Sequence, residues 1–116
     1  MTHGEIWLID FGLPVGSLPA KVRPAVVMQN DLLGIKHLNT VVVIPFTSNL
    51  VSSEHEPNIF FKKEETGLSK DSVAVIHLIG AANKFCFERK ISKLSEENYQ
   101  KLIDAVVKLI TNKSIA

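Results

Sequence analysis

The segment from Thr40 to Ser48 restricts the fold of this chain more than any other part of its sequence. It contains three consecutive valines followed by Ile44, without the alternation of polar and apolar residues that marks a half-exposed strand. Such a run predicts a β-strand that is buried on both faces or lies near the axis of a barrel. Pro45 cannot donate a hydrogen bond to a neighbouring strand, and it therefore predicts an end or a bulge just before Thr47.

The other apolar segments are short and are separated by glycine, proline and polar residues, which predicts further short strands. They span residues 5–11, 23–29, 58–61, 72–79 and 85–87, and residues 66–71 carry the signal of one helical turn. A longer helix is predicted after Ser95, a suitable N-cap residue, because apolar residues then recur at helical spacing up to Ile110. This order of elements predicts a mainly β fold: a strongly bent sheet or small, partly open β-barrel, closed by a C-terminal amphipathic helix.

The length of the chain and its charge balance narrow the class of protein. The 116 residues correspond to a single domain, 1–116, and a hydrophobic fraction of 46% is enough for a buried core. The formal net charge of +1 excludes a polybasic protein, so a nucleic-acid partner would require local groups of cations. The charges are indeed uneven, because residues 84–93 hold four cations against one carboxylate, whereas residues 54–71 hold three against five.

Cysteine use and the N-terminal sequence indicate the compartment. The single cysteine, Cys86, lies between two phenylalanines, which predicts a packed, unreactive thiol in a reducing compartment. Residues 1–20 contain no Lys or Arg, and the longest uncharged run, residues 37–53, is interrupted by Pro45 and polar side chains. We therefore expect a cytoplasmic protein with neither a signal peptide nor a membrane span.

No motif for a nucleotide or a metal ion occurs in the sequence. It has neither a glycine-rich phosphate loop nor a pair of His or Cys residues at the spacing of a zinc site, so we expect no cofactor and no metal ligand. Among the four histidines, His77 is notable because it lies within the predicted strand 72–79. Two alternatives are open for it: a hydrogen-bonded structural imidazole or a catalytic group.

Polar side chains interrupt two of the apolar strands at their ends. Arg23 begins one predicted strand, and Thr47 and Ser48 end another. If these strand ends meet at one rim, an arginine fork beside hydroxyl donors is suited to binding a phosphate group. The alternative is a structural arginine that pairs with a carboxylate such as Asp10 or Glu5.

Several of these segments together resemble, in order and spacing, the MazF/PemK toxins, the endoribonuclease halves of type II toxin–antitoxin systems. The resemblance covers nearly the whole chain and is carried by residues 4–11, 16–17, 21–30, 41–48 and 67–73. Its most specific parts are the Arg-Pro pair at 23–24 and the Pro-Phe-Thr-Ser run at 45–48. It implies an SH3-like barrel, a homodimer with an RNA-binding groove at its interface, and metal-independent cleavage to a 2′,3′-cyclic phosphate and a 5′-hydroxyl.

The same resemblance assigns roles to individual residues. Arg23 matches the catalytic arginine of the family and Thr47 its catalytic threonine, and both groups could stabilise the charge on a phosphorane formed by attack of the ribose 2′-hydroxyl. His77 occupies the place of an aspartate that acts as general base in part of the family. An imidazole is a plausible substitute because it titrates near neutral pH.

The resemblance also implies the partners of the chain: single-stranded RNA, a cognate antitoxin, a second copy of the chain, and DNA only through the toxin–antitoxin complex, with no membrane. The apolar side chains of the first loop, Leu13, Val15 and Leu18, are the expected antitoxin contacts. The expected RNA-binding residues are Lys21, Gln29, Ser48, Asn83 and Lys84.

Two segments depart from the pattern of the family. Many relatives have Gly-Ser-Glu-Gln in the first loop, with a glutamate implicated in catalysis, whereas residues 16–19 here read Gly-Ser-Leu-Pro. A frequent Gln-Ile-Arg-Thr segment is replaced by Leu-Ile-Gly-Ala at 78–81. The missing acid and arginine keep a second function class open, a non-catalytic or weakly active binding protein on the same barrel, such as a CcdB-like topoisomerase poison or an operon regulator.

Overall fold

The structure, a computed structural model, describes residues 1–33 and 36–111. Within these residues the strands are β1 (Glu5–Asp10), β2 (Val22–Val27), β3 (Thr40–Thr47), β4 (Ile59–Phe61), β5 (Ser72–Ala74), β6 (Gly80–Asn83) and β7 (Phe87–Lys93). The helices are α1 (Lys63–Thr66) and α2 (Glu96–Ile110), with 3-10 turns at Leu50–Glu54, Ile76–Leu78 and Lys84–Cys86. Neither of these described helices combines the length and the apolar character that a membrane span requires.

Strand β3 is the centre of an antiparallel sheet with the order β4-β5-β3-β2-β1-β7. Residues 43–45 of β3 pair with β2 on one edge, while on the other edge residues 40–43 pair with β6 and residues 46–47 with β5. Among the described residues no ladder joins β4 to β7, so the sheet is not closed. The predicted mainly β fold with a C-terminal helix is confirmed in its partly open form.

The predicted strand 72–79 is wrong in its middle. Thr47 pairs with Val73, and Val43 pairs with Gly80. Between these two pairs, the segment from Val73 to Gly80 is three residues longer than the matching part of β3. The extra residues leave the ladder as the 3-10 turn Ile76–Leu78. The turn buries Ile76 in the core and leaves His77 exposed, so His77 does not lie in a strand.

Two other elements differ from the sequence prediction in their bounds. The helical turn predicted at 66–71 lies earlier, as α1, because Gly67 adopts a φ of 74° that ends the helix. The strand predicted at 85–87 begins only at Phe87 and continues to Lys93. Strand β7 pairs with β1 alone and lies at the edge of the sheet, where charged residues are tolerated. These charged residues interrupt the apolar pattern, so the sequence did not predict a strand over 88–93.

The core consists of two apolar clusters on opposite faces of β2 and β3. Successive residues of a strand point to opposite faces, so Val26 joins one cluster and Val27 the other. The first cluster packs against Leu102 and Ala105 of α2, whose N-cap Ser95 accepts a hydrogen bond from the Asn98 amide at 3.1 Å, which confirms the predicted start of this helix. Partly buried side chains pack against the second cluster, including Trp7, Phe87 and Cys86.

Candidate active site

Arg23 and Thr47 occupy matching positions at the ends of β2 and β3. The register pairs Ala25 with Pro45, and its continuation by two residues sets Arg23 opposite Thr47. Both residues line the same two adjoining cavities. The structure therefore brings together the two residues that the sequence singled out at separate strand ends.

Proline interrupts the ladder between β2 and β3 at this point. Pro24 lacks the backbone N–H that would face β3, and the pairing of β2 with β3 ends at Ala25 and Pro45. The backbone of Pro45 faces the other edge of β3, where its carbonyl accepts a hydrogen bond from the Val75 amide at 3.0 Å. Because β2 and β3 are not tied together beyond this point, space is available between Arg23 and Thr47.

The guanidinium of Arg23 is anchored at one nitrogen only. Its Nε donates to the carbonyl of Ala20 at 2.9 Å, and its terminal nitrogens have no acceptor among the described residues. The carboxylate of Asp10 accepts a hydrogen bond from the Gly12 amide at 2.8 Å and is not paired with Arg23. The alternative of a structural arginine paired with Asp10 or Glu5 is therefore wrong, and the free end of the fork can bind an anion.

Glu5 instead joins β1 to β7. Its carboxylate accepts hydrogen bonds from Trp7 Nε1 and the Thr2 hydroxyl, both at 3.0 Å, and lies 3.3 Å from Lys90 Nζ. Burial by itself would raise the pKa of Glu5. The hydrogen bonds from Trp7, Thr2 and Lys90 outweigh it and lower the pKa to about 2.

The hydroxyl of Thr47 is oriented by the turn that follows β3. Its Oγ1 accepts a hydrogen bond from the Asn49 amide at 3.2 Å, so its own hydrogen remains available for donation. Ser48 is exposed beside it. Thr47 can therefore donate to an oxygen that Arg23 also contacts.

The larger cavity, which we name the cationic cleft, measures about 870 Å³. Its four charged lining residues are all cations, Lys21, Arg23, Lys70 and Arg89, and no carboxylate among the described residues lines it. Apolar side chains complete the cleft, including Leu8, Phe46, Leu68 and Ile91. A surface of this composition is suited to phosphates and to the flat faces of bases.

Lys70 and Arg89 are the two cations of the cleft that were not among the residues predicted from the sequence. Arg89 lies in the segment 84–93, whose excess of cations was the available signal, and Lys70 lies in the segment 67–73 that carries the family resemblance. Both reach the site only through the fold. β7 lies two strands from β2, with Leu8 paired to both Arg89 and Pro24.

The smaller cavity, which we name the loop pocket, measures about 320 Å³. It is lined by residues 16–19 of the first loop, by Ser52 and by Leu78, as well as by Arg23 and Thr47. Arg23 is its one charged residue in the described part of the chain. No sequence signal pointed to Ser52, which lies in a 3-10 turn of a polar stretch.

Lys21 closes the first loop and lines the cationic cleft. Its amide donates to the Gly12 carbonyl at 2.7 Å, and its carbonyl accepts from the Phe11 amide at 2.8 Å. These two bonds hold Lys21 at a φ of 59°, in the left-handed region that a lysine rarely adopts. Strained backbone of this kind persists where the surrounding structure determines it, and here it fixes the chain two residues before Arg23.

Some predicted site residues lie away from this pair. His77 lines neither cavity, although its neighbour Leu78 lines the loop pocket. Asn83 pairs with Thr40, at the end of β3 that is opposite Thr47. Seven residues of strand separate Thr40 from Thr47 by up to about 23 Å, so Asn83 and the next residue, Lys84, lie far from the pair of Arg23 and Thr47.

The amide of Gln29 is used within the chain. It is 9% exposed, its Nε2 donates to the Leu33 carbonyl at 2.6 Å, and its Oε1 accepts from the Val42 amide at 3.1 Å. It also lies beyond the end of β2 that is remote from Arg23. The prediction of an RNA contact for Gln29 is therefore not supported, because its side chain ties two backbone segments together.

Comparison with known proteins identifies the family. Residues 2–110 match the model described as PemK-like, MazF-like toxin of type II toxin-antitoxin system. Endoribonuclease MazF2 of Mycobacterium bovis is 37% identical over 84 residues, which cover 72% of this chain and 74% of that protein. Endoribonuclease MazF of Staphylococcus saprophyticus is 28% identical over 106 residues, which cover 91% of this chain and 88% of that protein.

The fold is also similar to that of a solved structure. An endoribonuclease in complex with its cognate antitoxin, from a mycobacterial species, superposes with a TM-score of 0.73 at 13% identity, covering 98% of both chains. At 13% identity this similarity shows a shared fold only. Membership of a family is shown by the family model and by the relatives in sequence. On the match of residues 2–110 and the 37% identity, the chain belongs to the family of PemK-like, MazF-like toxins of type II toxin–antitoxin systems.

Proposed function

We propose that this chain is the toxin of a toxin–antitoxin pair and that it acts as an endoribonuclease on single-stranded RNA. The observation that carries the proposal is the pair of Arg23 and Thr47, whose free donors face a cleft lined by cations. Two relatives that bear the name endoribonuclease support it.

In the proposed reaction the ribose 2′-oxygen attacks the adjacent phosphorus. The 2′-hydroxyl passes its proton to solvent water, the bond from phosphorus to the 5′-oxygen of the next nucleotide breaks, and that oxygen takes a proton from water. The products are a 2′,3′-cyclic phosphate and a 5′-hydroxyl. Negative charge grows on the non-bridging oxygens, where the terminal nitrogens of Arg23 and the hydroxyl of Thr47 donate hydrogen bonds.

The cationic cleft provides the path for the RNA strand on one side of the reacting phosphate. Lys21, Lys70 and Arg89 would contact neighbouring phosphates, and Ser48 would donate a hydrogen bond beside Thr47. Three cations besides Arg23 are a modest number. Binding should therefore be moderate in strength and sensitive to salt.

The first loop is the proposed antitoxin contact. The side chains of Leu13, Val15 and Leu18 are 85%, 66% and 61% exposed, which is typical of a surface that a partner covers. The solved structure with a similar fold is that of an endoribonuclease bound to its cognate antitoxin. Because Leu18 also lines the loop pocket, an antitoxin segment on this loop would compete with RNA.

A cytoplasmic homodimer is proposed as the functional unit, with DNA bound only through the toxin–antitoxin complex. A second exposed apolar patch supports the dimer. The Lys84 amide donates to the Asn39 carbonyl at 2.8 Å, which brings exposed Leu38 and Phe85 to one end of the sheet. Dimer formation would cover side chains of this kind.

One observation favours the second candidate, a binding protein on the same fold. Neither cavity beside Arg23 is lined by a carboxylate or a histidine in the described part of the chain, so the commonest general bases for the proton of the 2′-hydroxyl are missing there. A protein that binds RNA or a topoisomerase without cleavage would need no such group.

Cleavage of a long unstructured RNA, followed by mapping of both new ends, distinguishes the two candidates. The proposal predicts recurrent cleavage sites with cyclic phosphate and 5′-hydroxyl ends, both in the presence and in the absence of a metal chelator. Retention of RNA on the protein with no new ends would instead establish a binding protein.

A further inference from the structure

The loop pocket differs in chemistry from the cationic cleft, although the two cavities share Arg23, Phe46 and Thr47. The cleft has three further cations, whereas Arg23 is the one charge of the pocket among the described residues. A phosphate held by Arg23 and Thr47 therefore lies at the border between a cavity with three further cations and one with no further charge among the described residues. The nucleotides on its two sides must meet different surroundings.

Six of the eleven residues that line the loop pocket have apolar side chains, and polar atoms form much of the remaining wall. Leu18 and Pro19 come from the first loop, Pro45 and Phe46 from β3, and Leu78 from the 3-10 turn beside His77. A second phosphate would find no cation there besides Arg23, which the reacting phosphate already engages. The face of an unpaired base, in contrast, packs well against prolines and aliphatic side chains.

One hydroxyl of the pocket is available to a ligand and held in place. Ser52 is half-buried, its amide donates to the Asn49 carbonyl and its carbonyl accepts from Asn58 Nδ2, both at 3.1 Å. Its hydroxyl has no partner among the described residues. A hydroxyl can both donate and accept, so it can hydrogen-bond the polar edge of a base.

We propose that the loop pocket binds a single unpaired base next to the reacting phosphate, and that Ser52 is a specificity-determining residue for this base. The inference rests on the proposed ribonuclease function and extends it to a site for one nucleobase. The volume of about 320 Å³ has room for one base. Sequence selectivity then arises beside the cleavage site, from the shape of the pocket and from one hydrogen bond.

The test is to sequence the ends of a randomised RNA pool after cleavage by the wild-type protein, Ser52→Ala and Ser53→Ala. Ser53 lies in the same 3-10 turn but lines neither cavity, so it is the matched control. Loss of one hydrogen bond is expected to reduce the preference for the favoured base at one position next to the cut by about 5-fold. Ser53→Ala should leave the preference unchanged.

A second variant fills the pocket. Leu18 is largely exposed, so Leu18→Trp should fold normally and obstruct the base site, with a loss of cleavage of more than about 10-fold at every sequence. A base profile unchanged by Ser52→Ala, together with full activity of Leu18→Trp, would overturn the base pocket while leaving the ribonuclease function intact. If the wild-type protein makes no cuts, both proposals fail.

Discussion

Arg23 and Thr47 lie opposite each other two residues beyond the point where the pairing of β2 and β3 ends. In an uninterrupted ladder this position would be occupied by backbone hydrogen bonds. Pro24 removes the donor that would face β3, and the gap becomes the border between two cavities. The same feature that ends the strand pairing thus exposes an arginine fork and a hydroxyl to one ligand.

Arg89 and Lys70 are expected to bind phosphates beside the reacting one. Arg89→Gln or Lys70→Gln should raise the RNA concentration needed for half-maximal cleavage more than it lowers the maximal rate. Each change should also reduce the slope of log affinity against log salt concentration by about 0.7. Lys101→Gln on α2, which lines neither cavity, is the control. Slopes identical to that of the wild type would remove these two residues from the RNA path.

His77 is exposed and lines neither cavity, so His77→Ala is expected to keep the cleavage rate within about 3-fold of the wild type. The measurement is the cleavage rate between pH 5.5 and 8.5 for both proteins. The general-base hypothesis makes the opposite prediction. It would be supported by a pH-dependent rise in rate that disappears in the variant.

Gly67 is required for the stability of the turn beside the cleft. A Cβ on Gly67 would lie 2.9 Å from Ser92 Cβ, and the Ser92 hydroxyl donates to the Thr66 carbonyl, which holds it in place. With its φ of 74°, Gly67→Ala should lower the free energy of unfolding by about 2–4 kcal/mol.

Gly12→Ala is a suitable control for that change. Gly12 has a φ of 80° but no atom within 4 Å of the added Cβ, so the expected loss is about 1 kcal/mol, from backbone strain alone. Urea denaturation of the three proteins measures both values. Equal losses in the two variants would show that contact with Ser92 is unimportant.

Glu5 should make stability dependent on pH in the acidic range. Its pKa falls from 4.5 to about 2 on folding, so its charged form stabilises the fold fully above pH 4.5, and this stabilisation is lost as the pH falls toward 2. Glu5→Gln should lower the free energy of unfolding by about 1–3 kcal/mol at neutral pH. The stability difference between the two proteins should shrink between pH 4.5 and 2; a constant difference would contradict this assignment.

The fold and the central pair could be predicted from the sequence because their signals are local. The valine run, Pro45 and the cap at Ser95 each act within a few residues of the structure that they determine. The position of His77 could not be predicted, since the three residues that leave the ladder are apparent only when the segment is matched to β3. The same holds for Arg89, which the sheet brings to Arg23 from a distant part of the sequence.

The rate of cleavage by Arg23→Ala and Thr47→Val on an RNA with a mapped cut site tests the central claim most directly. Thr40→Val, at the opposite end of β3, is the control, and circular dichroism verifies that each variant is folded. We predict a loss of about 10²–10³ for each of the two site variants and an unchanged rate for the control. Folded variants that cleave as fast as the wild-type protein would contradict the account.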